Sequence, residues 1–248
     1  MKIAINLIPF CSVQGVEIFA QNIITNLLKI GKDNFLILMT EDSPDIFNFP
    51  EANIIRIKGL KGKIKKALWQ QLKMPAWLKI NKIDFLFCPS VQAPIFWKNK
   101  IVTIHDCAYD RFPEFDNLFS KVYFKMLFWG AKYFTKKIIT VSNFSKKELI
   151  DIYKIKPEKI DVTYEGVPIL PLSDTPIEKN ILEKFKINKP YFLFIGNSRP
   201  RKNIVGLINA FNLFLKNTGK DYLLVIAGKI DKRFMDLEKE IGGTGLKK

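Results

Sequence analysis

The sequence has 248 residues, of which 48% are hydrophobic and 13% aromatic, so it has enough apolar material to bury a core. Its 40 Lys and Arg residues against 24 Asp and Glu residues give a formal net charge of +16. This charge favours an anionic partner such as a nucleotide, a nucleic acid or an anionic membrane, although an AT-rich coding bias explains it equally well. No stretch reaches the roughly 20 apolar residues of a membrane span, and the N-terminus lacks a signal peptide, so we expect a cytoplasmic protein.

The cysteine and histidine content argues against a metal site. Cys11, Cys88 and Cys107 are far apart in the sequence, and the one histidine, His105, completes no cluster with the spacing of metal ligands. Cys88 and Cys107 each end an apolar run, where a free thiol packs as a small hydrophobic side chain. This is typical of a reducing compartment.

Short apolar runs rich in β-branched residues recur along the first two thirds of the chain. Continuous rather than alternating hydrophobicity is typical of strands buried on both faces, so the runs predict a parallel sheet covered by helices. The predicted strands are residues 2–8, 35–40, 54–58, 84–88, 101–105, 137–141 and 160–164. The predicted fold class is therefore α/β.

Two crossover helices of this sheet are well marked. Apolar residues from Val16 to Leu28 recur at i, i+3, i+4 and i+7, and Gly31 stands where a helix would end. A second helix is predicted from the capping box at residues 145–148, with Ser145 as the cap and Ser142 as a turn residue.

The pattern predicts two domains joined by a connection. Residues 1–168 form a Rossmann-like domain, and residues 169–189 are a proline-containing connection with a short helical stretch. The strand–helix–strand pattern then restarts, with strands at 191–195 and 222–227 and a helix at 204–215. Two strands cannot complete a doubly wound sheet, so we interpret residues 190–248 as the start of a truncated second Rossmann-like domain that needs about 100 more residues. We expect the apolar face of its helix to lack a covering sheet.

Candidate site residues follow the predicted strands, because ligands bind outside the carboxyl ends of an open parallel sheet. Gly15 opens the first helix, where the backbone can approach a phosphate, or it only forms the turn. His105, with Asp106 beside it, ends a buried strand and is either a site residue or a core histidine. The loop at residues 196–203 contains three basic residues. It either binds a diphosphate or is only a solvated basic loop. It lacks the spacing of a P-loop.

Together these segments resemble glycosyltransferase family 4, the retaining enzymes of the GT-B fold. The resemblance rests on motifs in the same order: Gly-Val-Glu at the first helix, TIHDCAYDRFPE, IITVSNFSKKEL, IKPEKIDVTYEGV, YFLFIGNSRPRKN and LLVIAG. It implies that Gly15 lies near the donor diphosphate, although Gln14 replaces the family's preceding glycine. It implies that His105 is the catalytic residue facing the donor sugar, and that Asn197, Arg201 and Lys202 belong to the donor-binding loop.

The resemblance also implies a reaction. A sugar would pass from a nucleotide-diphosphate sugar to an acceptor hydroxyl with retention, and without a metal or other cofactor. The Pro-Arg-Lys-Asn sequence resembles that of mannosyl and related transferases of bacterial surface polysaccharides, which implies a glycan or lipid-linked acceptor.

The family's Glu-x7-Glu motif does not occur before residue 248, so we expect this chain alone to be inactive. The alternative is a non-catalytic remnant, or the acceptor-domain subunit of a split enzyme whose partner chain supplies the C-terminal half.

Two basic stretches predict peripheral contact with an anionic membrane at its inner face. Residues 61–82 contain seven lysines and no acid, interleaved with Leu and Trp. Lys121, Lys125, Lys132 and Lys136 fall within about 60° on a helical wheel, with Phe128 among them. Lysines that accompany aromatic residues favour a lipid surface over a merely solvated face. No nucleic-acid-binding motif is present, so we expect no nucleic-acid partner.

Overall fold

The computed structural model describes residues 1–12, 15–31, 34–50, 52–111, 118–166 and 177–228. The chain divides into two compact units, Met1–Pro168 and Ile169–Lys248. Gln14, residues 112–114 of the TIHDCAYDRFPE motif and the first part of the predicted connection lie outside the described residues.

The first unit is built on a parallel sheet that has seven strands in the described residues. They are β1 (Lys2–Asn6), β2 (Asn34–Thr40), β3 (Asn53–Ile57), β4 (Phe85–Cys88), β5 (Lys100–Thr103), β6 (Lys137–Thr140) and β7 (Ile160–Val162). Their order is β3-β2-β1-β4-β5-β6-β7, and every neighbouring pair is parallel. The order reverses between β1 and β4, which is the switch point where open α/β sheets bind ligands. The predicted α/β class is confirmed.

Five of the predicted strands, those at residues 2–8, 54–58, 101–105, 137–141 and 160–164, run past the observed ones at the carboxyl end. β1 ends at Asn6 although the apolar run continues, because Leu7 and Ile8 leave the strand yet stay buried. The same holds for Ile104 after β5. These buried residues keep the segments that follow the strands against the carboxyl edge of the sheet.

Helices cover both faces of this sheet. They are α1 (Gly15–Ile30), α2 (Lys63–Leu72), α3 (Met74–Ile80), α4 (Ala108–Arg111), α5 (Leu118–Phe134) and α6 (Asn143–Tyr153). Successive strand residues point to opposite faces, so Ile5 packs in the core under α1 while Ala4 packs in the core under α3, α5 and α6. Cys88 and Cys107 lie in the second of these cores, as the sequence predicted.

The prediction that Ser145 caps α6 is wrong, because Ser142 is the cap. Ser142 has an extended backbone with φ −157° and ψ 158°, and its Oγ accepts a hydrogen bond from the Ser145 backbone N–H at 3.0 Å. Ser145 therefore lies inside the first turn, where it is buried. The structure thus starts α6 three residues earlier, next to the end of β6.

The described part of the second unit is a single strand–helix–strand element preceded by a short helix. Its elements are α7 (Ile177–Lys184), β8 (Tyr191–Ile195), a 3-10 helix (Pro200–Lys202), α8 (Ile204–Thr218) and β9 (Leu223–Ala227). β8 and β9 are parallel neighbours. α8 ends at Gly219, whose left-handed backbone, φ 63°, suits a residue without a side chain.

The expectation that the apolar face of α8 has too little sheet to cover it is wrong for three of its residues, whereas Leu207 and Leu215 are partly exposed. Ile204, Ile208 and Phe211 are buried, and the first two pack on Phe194 of β8 and on β9. Two strands suffice because α8 lies along one face of them. The side chains on the other face of β8 are exposed instead, since Leu193 is 52% and Ile195 is 76% accessible.

Candidate active site

The candidate site of the first unit lies at the carboxyl edge of its sheet. The segments that follow β1, β4, β5, β6 and β7 meet there because the strands are all parallel. His105 follows β5, two residues after Thr103 ends the strand. Its side chain is 17% accessible, so the ring is mostly enclosed but reaches the surface.

Both ring nitrogens of His105 face oxygen atoms of neighbouring segments. Nε2 lies 3.0 Å from the carbonyl oxygen of Pro89, which follows β4. A carbonyl oxygen can only accept, so this contact assigns the hydrogen to Nε2. Nδ1 lies 3.6 Å from Oε1 of Glu165, which follows β7, and the two form an ion pair when the ring is doubly protonated. The Pro89 carbonyl therefore orients the imidazole, and the Glu165 carboxylate adds to this when the ring is doubly protonated.

The backbone of His105 is held by hydroxyl groups of the β6–α6 segment. Ser145 Oγ donates to the His105 carbonyl at 2.9 Å, and Thr140 Oγ1 donates to the carbonyl of Ile104 at 2.7 Å. Ser142 Oγ in turn donates to Ser145 Oγ at 3.0 Å. The α6 cap and the position of His105 are thus parts of one hydrogen-bond chain.

Gly15 begins α1 on the same side of the sheet. A Cβ atom added at Gly15 would meet nothing within 4 Å, so the space beside this residue is open. Phe19, one helical turn later, packs edge-to-face on the His105 ring, with 4.8 Å between ring centroids. The structure therefore brings the start of α1 close to the imidazole.

Glu165 was not among the predicted site residues, although it lies in a motif that carried the resemblance. It lies three residues after the end of β7, so the rule that placed His105 at the sheet edge applies to it as well. Nearby, Asn143 Nδ2 donates to the Tyr164 hydroxyl at 2.7 Å, and both residues are exposed at this edge. These are further polar groups that the sequence pattern alone did not select.

Asp106, the acid beside His105, has a local structural contact. Its Oδ1 accepts a hydrogen bond from the Ala108 backbone N–H at 3.1 Å, at the start of α4. Burial raises the pKa of the Cys107 thiol, which follows it, to about 12, and the pKa of Cys88 to about 12 as well. Both thiols are therefore neutral near pH 7 and behave as core side chains.

A buried polar network lies behind the segment that follows β1. Asn6 Nδ2 donates to Gln70 Oε1 at 2.8 Å and to the carbonyl of Gln92 at 2.9 Å. Lys66, only 2% accessible, donates to the Phe10 carbonyl at 3.2 Å and pairs with Asp42 at 2.8 Å.

Asp42 is held in its charged form by this network. Burial acts to raise the pKa of Asp42, but hydrogen bonds from Lys66 and Thr40 outweigh it and hold the pKa below its usual value. The charged pair thereby fixes the backbone that leads from β1 towards α1, and no sequence pattern distinguished Lys66 from the surface lysines around it.

The other predicted donor-binding residues lie in the second unit, in the loop that joins β8 to α8. Asn197 Oδ1 accepts a hydrogen bond from the Arg199 backbone N–H at 3.3 Å and so shapes the loop. Arg201 and Lys202 follow in the 3-10 helix, and both are exposed. The loop therefore presents two cations beside the first turn of α8.

Two glycines allow the tight backbone geometry around this loop. Gly206 lies beneath the Asn203 side chain, which caps α8 by accepting from the Gly206 N–H at 3.2 Å. A Cβ atom at Gly206 would lie 2.6 Å from that side chain. Gly228, with φ +143°, lies where a Cβ atom would meet the Gly196 carbonyl at 1.9 Å. Larger residues at either position would displace the segments that surround Arg201 and Lys202.

Two searches of the described residues found nothing. No group of three or more His, Cys, Asp or Glu side chains there could hold a metal ion. No helix within the described ranges is long and apolar enough to cross a membrane.

The strand order and the helix N-terminus at the switch point define a Rossmann-like, ligand-binding class of protein. Comparison with protein families then identifies the family. The model of Glycosyltransferase Family 4 matches residues 13–169, more than half of the chain, and the model of Glycosyl transferases group 1 matches residues 177–248. The chain belongs to glycosyltransferase family 4, and the resemblance seen in the sequence is confirmed.

Individual proteins show the same relationship. O-antigen chain mannosyltransferase B from Escherichia coli is 28% identical over 160 residues, which are 62% of this chain and 41% of that protein. HepE from Anabaena, solved with UDP-glucose, is 15% identical with a TM-score of 0.68, and the match covers 100% of this chain and 67% of the HepE chain. A glycosyltransferase from Rickettsia africae is 20% identical with a TM-score of 0.63, and the match covers 99% of this chain and 65% of that protein.

These relatives are longer than the chain. It spans 41% of the length of the mannosyltransferase and about two thirds of each of the two solved structures. At 15% and 20% identity, the solved structures show a shared fold.

Proposed function

We propose that this protein takes part in transferring a sugar from a nucleotide-diphosphate sugar to an acceptor hydroxyl. The observation that carries the proposal is the match of both units, in order, to the two glycosyltransferase family models. The complex of the structurally similar HepE with UDP-glucose supports a nucleotide sugar as the donor.

The proposed roles follow from position. His105 lies at the carboxyl edge with one ring nitrogen towards Glu165, and it would contact the donor sugar and pyrophosphate. Gly15, beside open space at the N-terminus of α1, would let the diphosphate approach the backbone. Asn197 would shape the second loop, while Arg201 and Lys202 would neutralise the departing diphosphate.

Stabilisation of a leaving diphosphate does not in itself require a metal. Charge that develops on a leaving diphosphate can be stabilised by preorganised cations and backbone N–H groups, which cost little reorganisation at the moment of reaction. Arg201, Lys202 and the helix N-terminus at Gly15 are groups of this kind. We therefore propose metal-independent transfer.

We propose that the sugar is transferred with retention, by departure and attack on the same face. A double displacement would need a carboxylate free to form a covalent bond to the sugar. Glu165 is the carboxylate nearest to His105 among the described contacts, and it faces the imidazole. We assign it the role of orienting His105.

Mannose is the proposed sugar, and surface polysaccharide or glycolipid synthesis the proposed context. Two observations support this choice: the Pro-Arg-Lys-Asn sequence of the basic loop and the 28% identity to an O-antigen mannosyltransferase. The acceptor would then be a glycan or a lipid-linked saccharide. We propose the cytoplasm, at the inner face of the membrane, as the place of the reaction.

Saturation-transfer NMR with a panel of nucleotide sugars tests the proposal. The purified protein is mixed in turn with GDP-mannose, UDP-glucose and UDP-N-acetylglucosamine. We expect transfer to the base, ribose and sugar protons of one nucleotide sugar, GDP-mannose if the sugar is correctly assigned. Transfer to UDP-glucose alone would contradict mannose, and no transfer to any nucleotide sugar would contradict the proposed function.

A further inference from the structure

The outward side of α5 carries a row of exposed apolar side chains. Between 47% and 75% of each side chain is accessible. The row consists of Leu118, Phe119, Val122, Met126, Trp129 and Tyr133. On a helical wheel these positions fall within about 100° of one another, so they form one continuous face. We call this set the α5 row.

The opposite side of α5 anchors the helix to the sheet. Leu127, Phe128 and Ala131 are buried in the core, and the Phe128 ring stacks on Tyr153 with 4.5 Å between centroids. The prediction that Phe128 joins a surface lysine stripe is therefore wrong, because Phe128 points inwards. Trp129 takes that place at the surface.

Lysines border the α5 row along one side. Lys121, Lys125 and Lys132 fall within about 40° of one another on the same wheel, next to the apolar arc. Lys132 Nζ lies 5.1 Å from the centre of the Tyr133 ring, so cation and row are in contact. The face therefore combines apolar side chains with a cationic border.

The neighbouring helix α2 extends this surface. Ile64, Leu68 and Leu72 are exposed at i, i+4 and i+8 along α2. Residues of both helices pack against the same core on the same face of the sheet, so their exposed sides both point away from it.

A short loop connects the two exposed sides. Gln71 of α2 bonds the Ala93 carbonyl and the Ile95 N–H, both at 2.9 Å, and Phe96 follows with 71% of its surface accessible. The Phe96 ring reaches Trp129 of the α5 row, with 6.4 Å between centroids. Phe96 thus extends the α5 row onto the loop that Gln71 of α2 holds.

The charge of this surface is of one sign. The three segments that form it, residues 60–83, 91–105 and 118–137, contain no Asp or Glu. Lys61, Lys63, Lys65, Lys73 and Lys79 around α2 and α3, and Lys125 on α5, are exposed. A large exposed apolar patch marks an interaction site, and a uniformly cationic rim selects an anionic partner.

A second copy of this chain fits the surface poorly. A two-fold interface places the same patch of two molecules face to face, so lysines of one copy would meet lysines of the other. An anionic bilayer satisfies both features at once, because apolar side chains enter the headgroup boundary while lysines contact lipid phosphates.

We propose that the α5 row, together with Ile64, Leu68, Leu72 and Phe96, docks peripherally on an anionic lipid bilayer. The proposal does not depend on the sugar-transfer proposal, because its evidence is the exposed surface of the first unit. α5 lies flat in the headgroup region with its lysines level with the phosphates.

Vesicle sedimentation tests the proposal. Neutral vesicles consist of phosphatidylcholine alone, and anionic vesicles consist of phosphatidylcholine and phosphatidylglycerol in equal amounts. We expect binding to the anionic vesicles only. Lys121→Gln/Lys125→Gln should lower the partition coefficient about 25-fold at low salt, because each lysine near the surface contributes about fivefold. This loss of binding should shrink as salt is added.

The matched control Lys29→Gln/Lys216→Gln removes the same charge elsewhere and should change binding far less.

The apolar contribution is tested separately with Val122→Ser/Trp129→Ser. We expect at least a tenfold loss of binding that persists at high salt, and little loss for the control Ile30→Ser/Leu213→Ser on other surfaces. Circular dichroism checks that each variant is folded. In the unsubstituted protein, brominated lipids should quench tryptophan fluorescence, and Trp129→Phe should remove most of that quenching.

Three results would overturn the proposal. One is equal binding to neutral and anionic vesicles with no effect of either pair of substitutions. Another is no binding to either vesicle. The third is a dimer in sedimentation equilibrium that Val122→Ser/Trp129→Ser dissociates, without vesicle binding, because the surface would then be a contact between copies.

Discussion

His105 is the residue on which the candidate site of the first unit depends. Its imidazole is oriented by the Pro89 carbonyl and the Glu165 carboxylate, and its backbone is held through Ser145. A side chain fixed from several directions loses little entropy when it contacts a ligand, which suits a group that must meet developing charge.

Replacing the imidazole should affect turnover far more than folding. In an enzyme that includes the complete second domain, we expect His105→Ala to lower kcat by about 10² or more, since loss of a positioned donor to developing charge commonly costs this much. The fold should survive, with stability reduced by about 1 kcal/mol through the lost contact with Phe19. Steady-state kinetics and thermal unfolding measure the two effects. Ser145→Ala, which keeps the imidazole, is the matched control and should be milder, whereas unchanged turnover in His105→Ala would refute the assignment.

Glu165 distinguishes an orienting carboxylate from a covalent nucleophile. In the same enzyme with its complete second domain, we expect Glu165→Gln to reduce turnover less than tenfold, because the amide keeps the size and can still hydrogen bond to the ring. Mass spectrometry of the enzyme quenched during turnover should find no sugar attached at this position. A sugar adduct on Glu165, or a loss as large as that of His105→Ala, would instead support double displacement.

At the scale of elements, the sheet was predictable because buried parallel strands have a distinct pattern. All seven strands of the first unit and both of the second lie where continuous apolar runs predicted them. The apolar runs extend past the ends of β1 and β5, because Leu7, Ile8 and Ile104 are buried without belonging to strands. Apolar character reports burial, and only hydrogen bonding decides where a strand ends.

Contacts between distant segments could not be predicted in this way. Ser142 and Ser145 are both suitable cap residues, and only the extended backbone of Ser142 identifies the cap. Glu165 meets His105 from a strand two positions away across the sheet, and buried Lys66 resembles its exposed neighbours in sequence. Each depends on packing that a periodic pattern does not contain.

The cap of α6 provides a test at this scale. Ser142→Ala should lower the free energy of unfolding by about 1 kcal/mol, because the Ser145 N–H loses its acceptor. Ser142→Gly should lower the free energy of unfolding by only a few tenths of a kcal/mol, since glycine is tolerated as a cap. Urea denaturation followed by circular dichroism measures both. A stability equal to that of the parent protein in Ser142→Ala would be inconsistent with this cap.

At the scale of the whole molecule, the first unit contains what an independent domain requires. Its seven strands pair with one another, and helices bury apolar side chains on both faces of the sheet. In the described residues, the second unit has two strands and a smaller core. We propose that the domain boundary lies near residue 168.

Residues 1–168 should therefore fold without the rest of the chain. We expect a cooperative thermal transition and dispersed NMR signals, because a domain of this size buries about two thirds of its surface. Thermal unfolding followed by circular dichroism makes the measurement, with the 248-residue chain as the reference. A non-cooperative melt, or loss of near-ultraviolet dichroism in the shorter chain, would show that the first unit relies on later residues.

The central claim is that the protein binds a nucleotide-diphosphate sugar through the basic loop of its second unit. The most direct measurement is calorimetric titration of the purified protein, and of Arg201→Ala/Lys202→Ala, with the nucleotide sugar that gives the strongest NMR signal. Each charge-assisted contact should contribute about 1.5 to 3 kcal/mol, so the double substitution should raise Kd about a hundredfold or more. Lys216→Ala/Lys220→Ala, which removes the same charge elsewhere in the second unit, should leave Kd within about twofold. Equal affinity in Arg201→Ala/Lys202→Ala and the parent protein would contradict the claim.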